Sequence, residues 1–332
     1  MRRLLIAAVA CIAAAVGYVA AYLYLPFGGD LPKAFVIAQG TSLKGVSRQL
    51  AAAGLVREPW TFLDAARARG AESGIKAGNY EIPFGATALD ALDLFMRGRG
   101  RQEEIRIIEG WTFAQARRAL ARHPALRHDT EGRSDAELLA LLGSSDAHAE
   151  GLFFPDTYFF SHGASDLGVL RRAYAAMQKQ LDAAWSRRNQ SIPVRSPYEA
   201  LVLASIIEKE TGRAEERAQI GGVLANRLRI GMKLQVDPTV IYGLGEDFDG
   251  NLRKRDLLAD TPYNTYTRHG LPPTPIALPG AASLEAATRP AETRALYYVS
   301  RGDGTSQFSN SLPEHNDAVN RYQRYPKERK PQ

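Results

Sequence analysis

The sequence predicts an α+β protein behind an apolar N-terminal helix, and three observations carry that prediction. The run from Leu4 to Phe27 contains no charge. Short apolar strands then alternate with glycine turns and capped helices. Beyond them, long helical periods are broken by one irregular, proline-rich stretch and closed by a hairpin pattern.

Taken in order, Arg2 and Arg3 precede the apolar run. About 20 apolar residues span a bilayer, and the flanking arginines place the N-terminus in the cytoplasm. A cleaved signal peptide is the alternative, with small residues at Val19-Ala20-Ala21. The run exceeds the roughly 7–15 residues of a signal core, which favours an uncleaved single-pass anchor. Gly28-Gly29-Asp30-Leu31-Pro32 reads as linker, so residues 1–29 form N-terminus, anchor and linker.

An internal echo follows. Phe35-Val36-Ile37 with Gly40-Thr41-Ser42-Leu43 recurs as Ile105-Arg106-Ile107-Ile108 with Gly110-Trp111-Thr112-Phe113. A third variant is Tyr80-Glu81-Ile82 with Gly85 and Thr87. Each reads strand, glycine turn, hydroxyl cap, amphipathic helix. Residues 30–108 are therefore expected to form a small α+β domain, and residues 109–332 a second, larger one.

In the larger part, Ser134-Asp135-Ala136-Glu137 is a capping box before a leucine run, and Asp166 to Trp185 has helical periodicity. The aromatic cluster from Phe153 to Phe160 is core or the wall of a carbohydrate groove, with Asp156 and Tyr158 open to either role. Ser196 and Pro197 then start a helix that runs through Leu201-Val202-Leu203-Ala204-Ser205-Ile206-Ile207-Glu208-Lys209-Glu210. At about 100° per residue, Leu203, Ile206, Ile207 and Glu210 share one face and Glu208 points elsewhere. A carboxyl ending an apolar stripe is desolvated, which favours its protonated form and suits a general acid. Residues 213–230 suggest another helix capped by Gly231, with Gln235 and Asp237 in a loop before Pro238. The stretch from Pro262 to Pro279 has no helical period. Its Asn264 and Tyr266, with Gln235, offer amide and phenol groups suited either to N-acetyl and hydroxyl recognition or to bracing the loop. Ala295 to Val299 and Thr305 to Ser309 complete a hairpin pattern.

Composition narrows the chemistry. Cys11 lies in the apolar run, so the rest of the chain can form no disulfide. The six histidines form no metal-ligand spacing, and no Gly-x-Ser-x-Gly elbow or phosphate loop is present. No metal or cofactor is expected. A net charge of +6 spread along the chain, densest in a basic tail from Arg321 to Lys330, gives no footprint for nucleic acid.

The run Ala204 to Thr211 resembles the core motif of the YceG-like family. The likeness continues through Ala225-Asn226-Arg227-Leu228, Gly231 to Gly243, Tyr263-Asn264-Thr265-Tyr266, Gly270-Leu271-Pro272-Pro273 and His315-Asn316, with Glu150-Gly151 and Phe154 to Tyr158 upstream. The resemblance implies a LysM-like domain over residues 30–108 and a mixed α+β, lysozyme-like catalytic domain over 109–332. It implies a lytic transglycosylase that cuts the β-1,4 bond between N-acetylmuramic acid and N-acetylglucosamine inside nascent peptidoglycan strands. One glutamic acid serves as acid and then base, leaving a 1,6-anhydromuramoyl end. Glu210, followed by Thr211, fits the acid; Glu208, followed by Lys209, is the second choice. Gln235, Asp237, Asn264 and Tyr266 are the implied substrate contacts. The setting implied is the inner membrane with the catalytic part periplasmic, and the partners are glycan strands and penicillin-binding protein synthases. Two other readings remain. One is a muramidase, which needs a second carboxylate from Asp237, Glu215 or Glu216. The other is a non-catalytic glycan-binding scaffold.

Overall fold

The computed structural model describes residues 2–27, 32–38, 40–98 and 102–324. Most of the expected linker and the basic residues Lys327, Arg329 and Lys330 lie outside them. The chain divides into two compact units. The first holds residues 1–104 and also takes in 124–127 and 159–165; the second holds the rest.

In the first unit, helix α1 spans Arg2–Tyr24. Among the described residues no helix is long and apolar enough to cross a membrane. The side chains of residues 2–5, 8 and 12 are outside that description, so the expected span falls partly beyond it. Strands β1 (Lys33–Ile37) and β2 (Gly78–Ile82) pair antiparallel, with Phe35 opposite Tyr80. Between and after them run α2 (Leu43–Ala52), α3 (Pro59–Ala68) and α4 (Ala88–Arg97). The hydroxyl caps act as the pattern demands: Ser42 accepts from Gly45 N–H, and Thr87 forms a reciprocal box with Asp90. The apolar faces meet in one core that includes Val46, Leu50, Phe62, Ile82 and Phe95, and Tyr22, Leu23 and Phe27 pack against it. Leu126–Arg127 and Ala164–Ser165 add a short parallel pair.

The second unit is helical, with α5 (Phe113–Ala121), α6 (Asp135–Leu142), α7 (Asp166–Ser186), α8 (Pro197–Glu210), α9 (Ala214–Arg229), α10 (Asp237–Leu244), α11 (Lys254–Leu258), α12 (Ala281–Thr288) and α13 (Leu312–Val319). Strands Tyr297–Ser300 and Ser306–Ser309 form the expected hairpin, with Tyr298 opposite Phe308. At the start of α8, Ser196 Oγ accepts from Glu199 N–H, while the Glu199 carboxylate accepts from Arg195 N–H.

Helix α8 is not the one-faced helix its stripe suggested. Every residue from Ala200 to Ile207 is buried, because α7, α9, α10 and α12 all pack around it. A helix apolar on all sides belongs in a core, and each large aliphatic side chain there adds about 1.5–3 kcal/mol by leaving water. Ser205, buried among them, donates to Val202 O and accepts from Ile276 N–H. Glycines let α9 approach closely: a Cβ on Gly221 would sit 2.6 Å from Ala286 O, and one on Gly222 2.5 Å from Ala291 O. A second correction concerns Asp237, which opens α10 with Pro238 behind it instead of lying in a loop.

Candidate active site

Helix α8 stops at Glu210 because Thr211 turns to an extended backbone, and its hydroxyl accepts from Arg213 N–H. That places two carboxylates at one helix end, in different surroundings. Glu208 Oε1 lies 3.5 Å from Arg217 Nη2, both side chains being largely shielded from solvent, and Oε2 accepts from Gly280 N–H at 3.0 Å. Glu109 closes the same corner, its carboxyl raised first by burial and then by the charge of Glu208. A Cβ on Gly280 would fall 1.8 Å from Glu109 Oε1, so a side chain there would make the Glu109 carboxyl shift. Lys209 projects away and donates to Gly110 O at 3.2 Å.

Glu210 lines a cleft of ≈ 360 Å³ instead. Tyr298 donates its hydroxyl to Glu210 Oε2 at 2.7 Å. Burial raises the Glu210 carboxyl above its ordinary range; the Tyr298 bond opposes this, Asp237 adds to it and Arg227 subtracts. Burial dominates, so the carboxyl holds its proton to higher pH than an exposed glutamate, as a general acid requires.

The expected contacts divide. Gln235 and Asp237 line the cleft, and so does Tyr266. Tyr266 donates to Asp237 Oδ1 at 2.5 Å, and burial raises its phenol well above the ordinary value. Gln235 adopts φ 50°, the only left-handed non-glycine backbone among the described residues. Such a conformation costs about 1–2 kcal/mol without glycine, and strain of this kind gathers at functional sites. Asn264 does not reach the cleft. It is fully buried, donates to three carbonyls at Asp256, Leu257 and Ala259, and accepts from Tyr266 N–H. Its amide braces the loop that presents Tyr266. Tyr158 is likewise buried, bonded to Phe154 O at 2.6 Å beneath the Arg172 guanidinium.

Five further residues complete the cleft that the sequence did not single out: Arg227, Tyr297, Tyr298, Leu312 and His315. Asn226 donates to Thr293 O and Ala295 O, and Arg227 donates to Leu296 O and Leu234 O. These bonds clamp the chain just before the hairpin, which sets Tyr297 and Tyr298 over the end of α8. Tyr297 stacks on His315 at 5.1 Å. Burial, with Arg227 second, lowers the His315 imidazole below its usual value, so it is neutral at pH 7. The one available signal was that Arg227 and His315 fell inside motifs.

Of the three carboxylates considered as partners for Glu210, Asp237 alone lines its cleft. Glu216 accepts from Ser306 N–H and Oγ at 2.7 Å, and Glu215 lies 3.8 Å from Arg213.

An α+β chain with one burial-tuned carboxyl in a polar, aromatic-lined cleft has the making of a carbohydrate-cleaving acid/base enzyme. The chain matches the YceG-like family over residues 35–321 and belongs to it. It is 31% identical over 304 residues to the endolytic murein transglycosylase of Bacillus subtilis, covering 86% of this chain and 83% of that one. The endolytic murein transglycosylase of Streptococcus pneumoniae is 26% identical over 85% of this chain, which spans 57% of that longer protein. A crystal structure of a YceG-like protein from Listeria monocytogenes superposes with a TM-score of 0.56 at 28% identity, covering 86% of this chain and 98% of that one.

Proposed function

We propose that this protein is an endolytic peptidoglycan lytic transglycosylase with Glu210 as its acid and then its base. The observation that carries the reading is the Glu210 carboxyl itself, raised by burial, held by Tyr298 and facing the cleft. Protonated Glu210 gives its proton to the glycosidic oxygen between muramoyl and glucosaminyl residues, and the bond from that oxygen to the anomeric carbon breaks. The resulting carboxylate then takes the proton of the muramoyl 6-hydroxyl, whose oxygen closes on the anomeric carbon. The proton returns to Glu210 and no water is consumed. Gln235, Asp237 and Tyr266 supply polar contacts along the cleft.

The charge-free run from Leu4 to Phe27 behind Arg2 and Arg3 supports reading α1 as an inner-membrane anchor with the catalytic unit periplasmic. Resistance of the full chain to carbonate extraction from membranes tests this, and release into the soluble fraction overturns it. Residues 30–108 are read as the LysM-like part, a reading supported by the β1–β2 pair with its capped helices. Peptidoglycan synthases are the partners that fit cutting of nascent strands.

Mass spectrometry of purified glycan strands incubated with the full chain tests the activity. Products one water lighter than hydrolysis products, lost in Glu210→Gln, are expected. Hydrated reducing ends point to a muramidase with Asp237 as second carboxylate, and binding without cleavage points to a scaffold.

A further inference from the structure

A neutral carboxyl has one oxygen that carries the proton and one that can only accept. The Tyr298 hydroxyl donates to Glu210 Oε2 at 2.7 Å. Burial and the neighbouring Glu210 raise the Tyr298 phenol well above its ordinary value, so it keeps its own proton and acts as the donor. Among the described residues, Glu210 Oε1 receives no such bond, and the residue retains exposure to the cleft.

We propose that Tyr298 is a positioning residue that decides which oxygen of Glu210 carries the catalytic proton. By donating to Oε2 it makes that oxygen the acceptor and leaves the acidic O–H on Oε1, toward the glycan. This inference rests on Glu210 being the acid and deepens that reading.

The bond also changes along the reaction. While Glu210 is protonated, Tyr298 makes a neutral hydrogen bond. Once the proton passes from Oε1 to the leaving oxygen, the same bond ends on a carboxylate and becomes charge-assisted, which is roughly twice as strong. Tyr298 thus stabilises the anion as it forms, and an interaction stronger in the transition state than before it raises kcat. The clamp by Asn226 and Arg227 on residues 293–296 holds the strand that aims the phenol. The other titratable or charged groups around Glu210 are Asp237 from α10, Arg227 from α9, Tyr266 from the long loop, Tyr297 from the hairpin and His315 from α13.

The test compares pH–rate profiles of full-length wild type, Tyr298→Phe and Glu210→Gln on purified glycan strands. Tyr298→Phe is expected to lower kcat by roughly 10- to 100-fold with little change in KM. Its alkaline limb should move to higher pH, because the bond that lowers the Glu210 carboxyl is gone. A phenol that only filled space would move neither. Wild-type kcat and an unmoved limb in Tyr298→Phe, with Glu210→Gln inactive, overturn the positioning role and leave Glu210 as the acid. Activity surviving in Glu210→Gln overturns both. Should Tyr298→Phe fail to fold, fluorotyrosines placed at 298 keep the shape and strengthen the donor. The alkaline limb is then expected to fall as the phenol becomes more acidic, and a limb that stays put overturns the proposal.

Discussion

On one side of the end of α8, Glu208 is closed in by Arg217 and the Gly280 N–H. On the other, Glu210 has a neutral donor, Tyr298, and an open cleft. The two residues are two positions apart in the chain, yet one is tied into the scaffold and the other, among the described residues, has a donor on one oxygen alone. Glu150 supplies a third case. It is buried with donors but no cation, accepting from Phe113 N–H at 2.9 Å and from Tyr242 Oη at 3.2 Å, and burial pushes it up to about 7. The comparison teaches that burial alone does not decide a carboxyl's surroundings: Glu208 meets a cation, Glu150 has a donor on each oxygen, and Glu210 has a donor on one oxygen and lines the cleft.

The sharpest way to break this contrast is Glu210→Gln. Its cleavage rate should fall by roughly 10²–10⁴-fold with thermal unfolding little changed; normal product release would move the chemistry elsewhere. Glu208→Ala should do the reverse. Removing one partner of a buried pair costs about 3–5 kcal/mol, so urea unfolding should shift while the folded fraction still cuts glycan. Unaltered stability would remove Glu208 from the scaffold.

Glu150 tests the third case through pH. Its folded value lies above the unfolded one, so its contribution is fully present below about pH 4.5 and is lost as pH rises through about 7. The wild type should lose about 3 kcal/mol across that window, and Glu150→Gln should flatten that part of the curve. Parallel pH profiles for the two proteins would contradict it. Asn264→Ala should cost about 1–3 kcal/mol by removing the buried amide that pairs the carbonyls of Asp256, Leu257 and Ala259, measurable by denaturant titration; a pure KM effect with no loss of stability would return Asn264 to the cleft. The smallest effect is expected from Asp237→Asn. Removing that negative charge lowers the Glu210 carboxyl, so the alkaline limb of kcat/KM should move to lower pH; an upward move would mean Asp237 acts otherwise.

Much of the fold was legible from local chemistry. The caps at Ser42, Thr87, Thr112, Ser134 and Ser196 all act as written, and the hairpin and the helix before Gly231 stand where their patterns put them. These are short-range signals, since a capping hydroxyl needs only the next three residues. The site was legible in part. Glu210, Gln235, Asp237 and Tyr266 come together in the cleft, but Asn264 does not. An asparagine amide suits a sugar and a loop backbone equally well, and only the carbonyls of residues 256–259 around it settle the matter.

The sequence by itself determined the capped helix starts, the hairpin and the presence of two carboxylates at the end of an apolar helix. Which carboxylate meets a cation and which meets the cleft was decided only in the tertiary structure. A helix buried on every side has no polar face to read. The partners that separate Glu208 from Glu210 come from Arg217, Gly280 and Tyr298, up to 88 residues away, and only packing brings them within hydrogen-bonding distance.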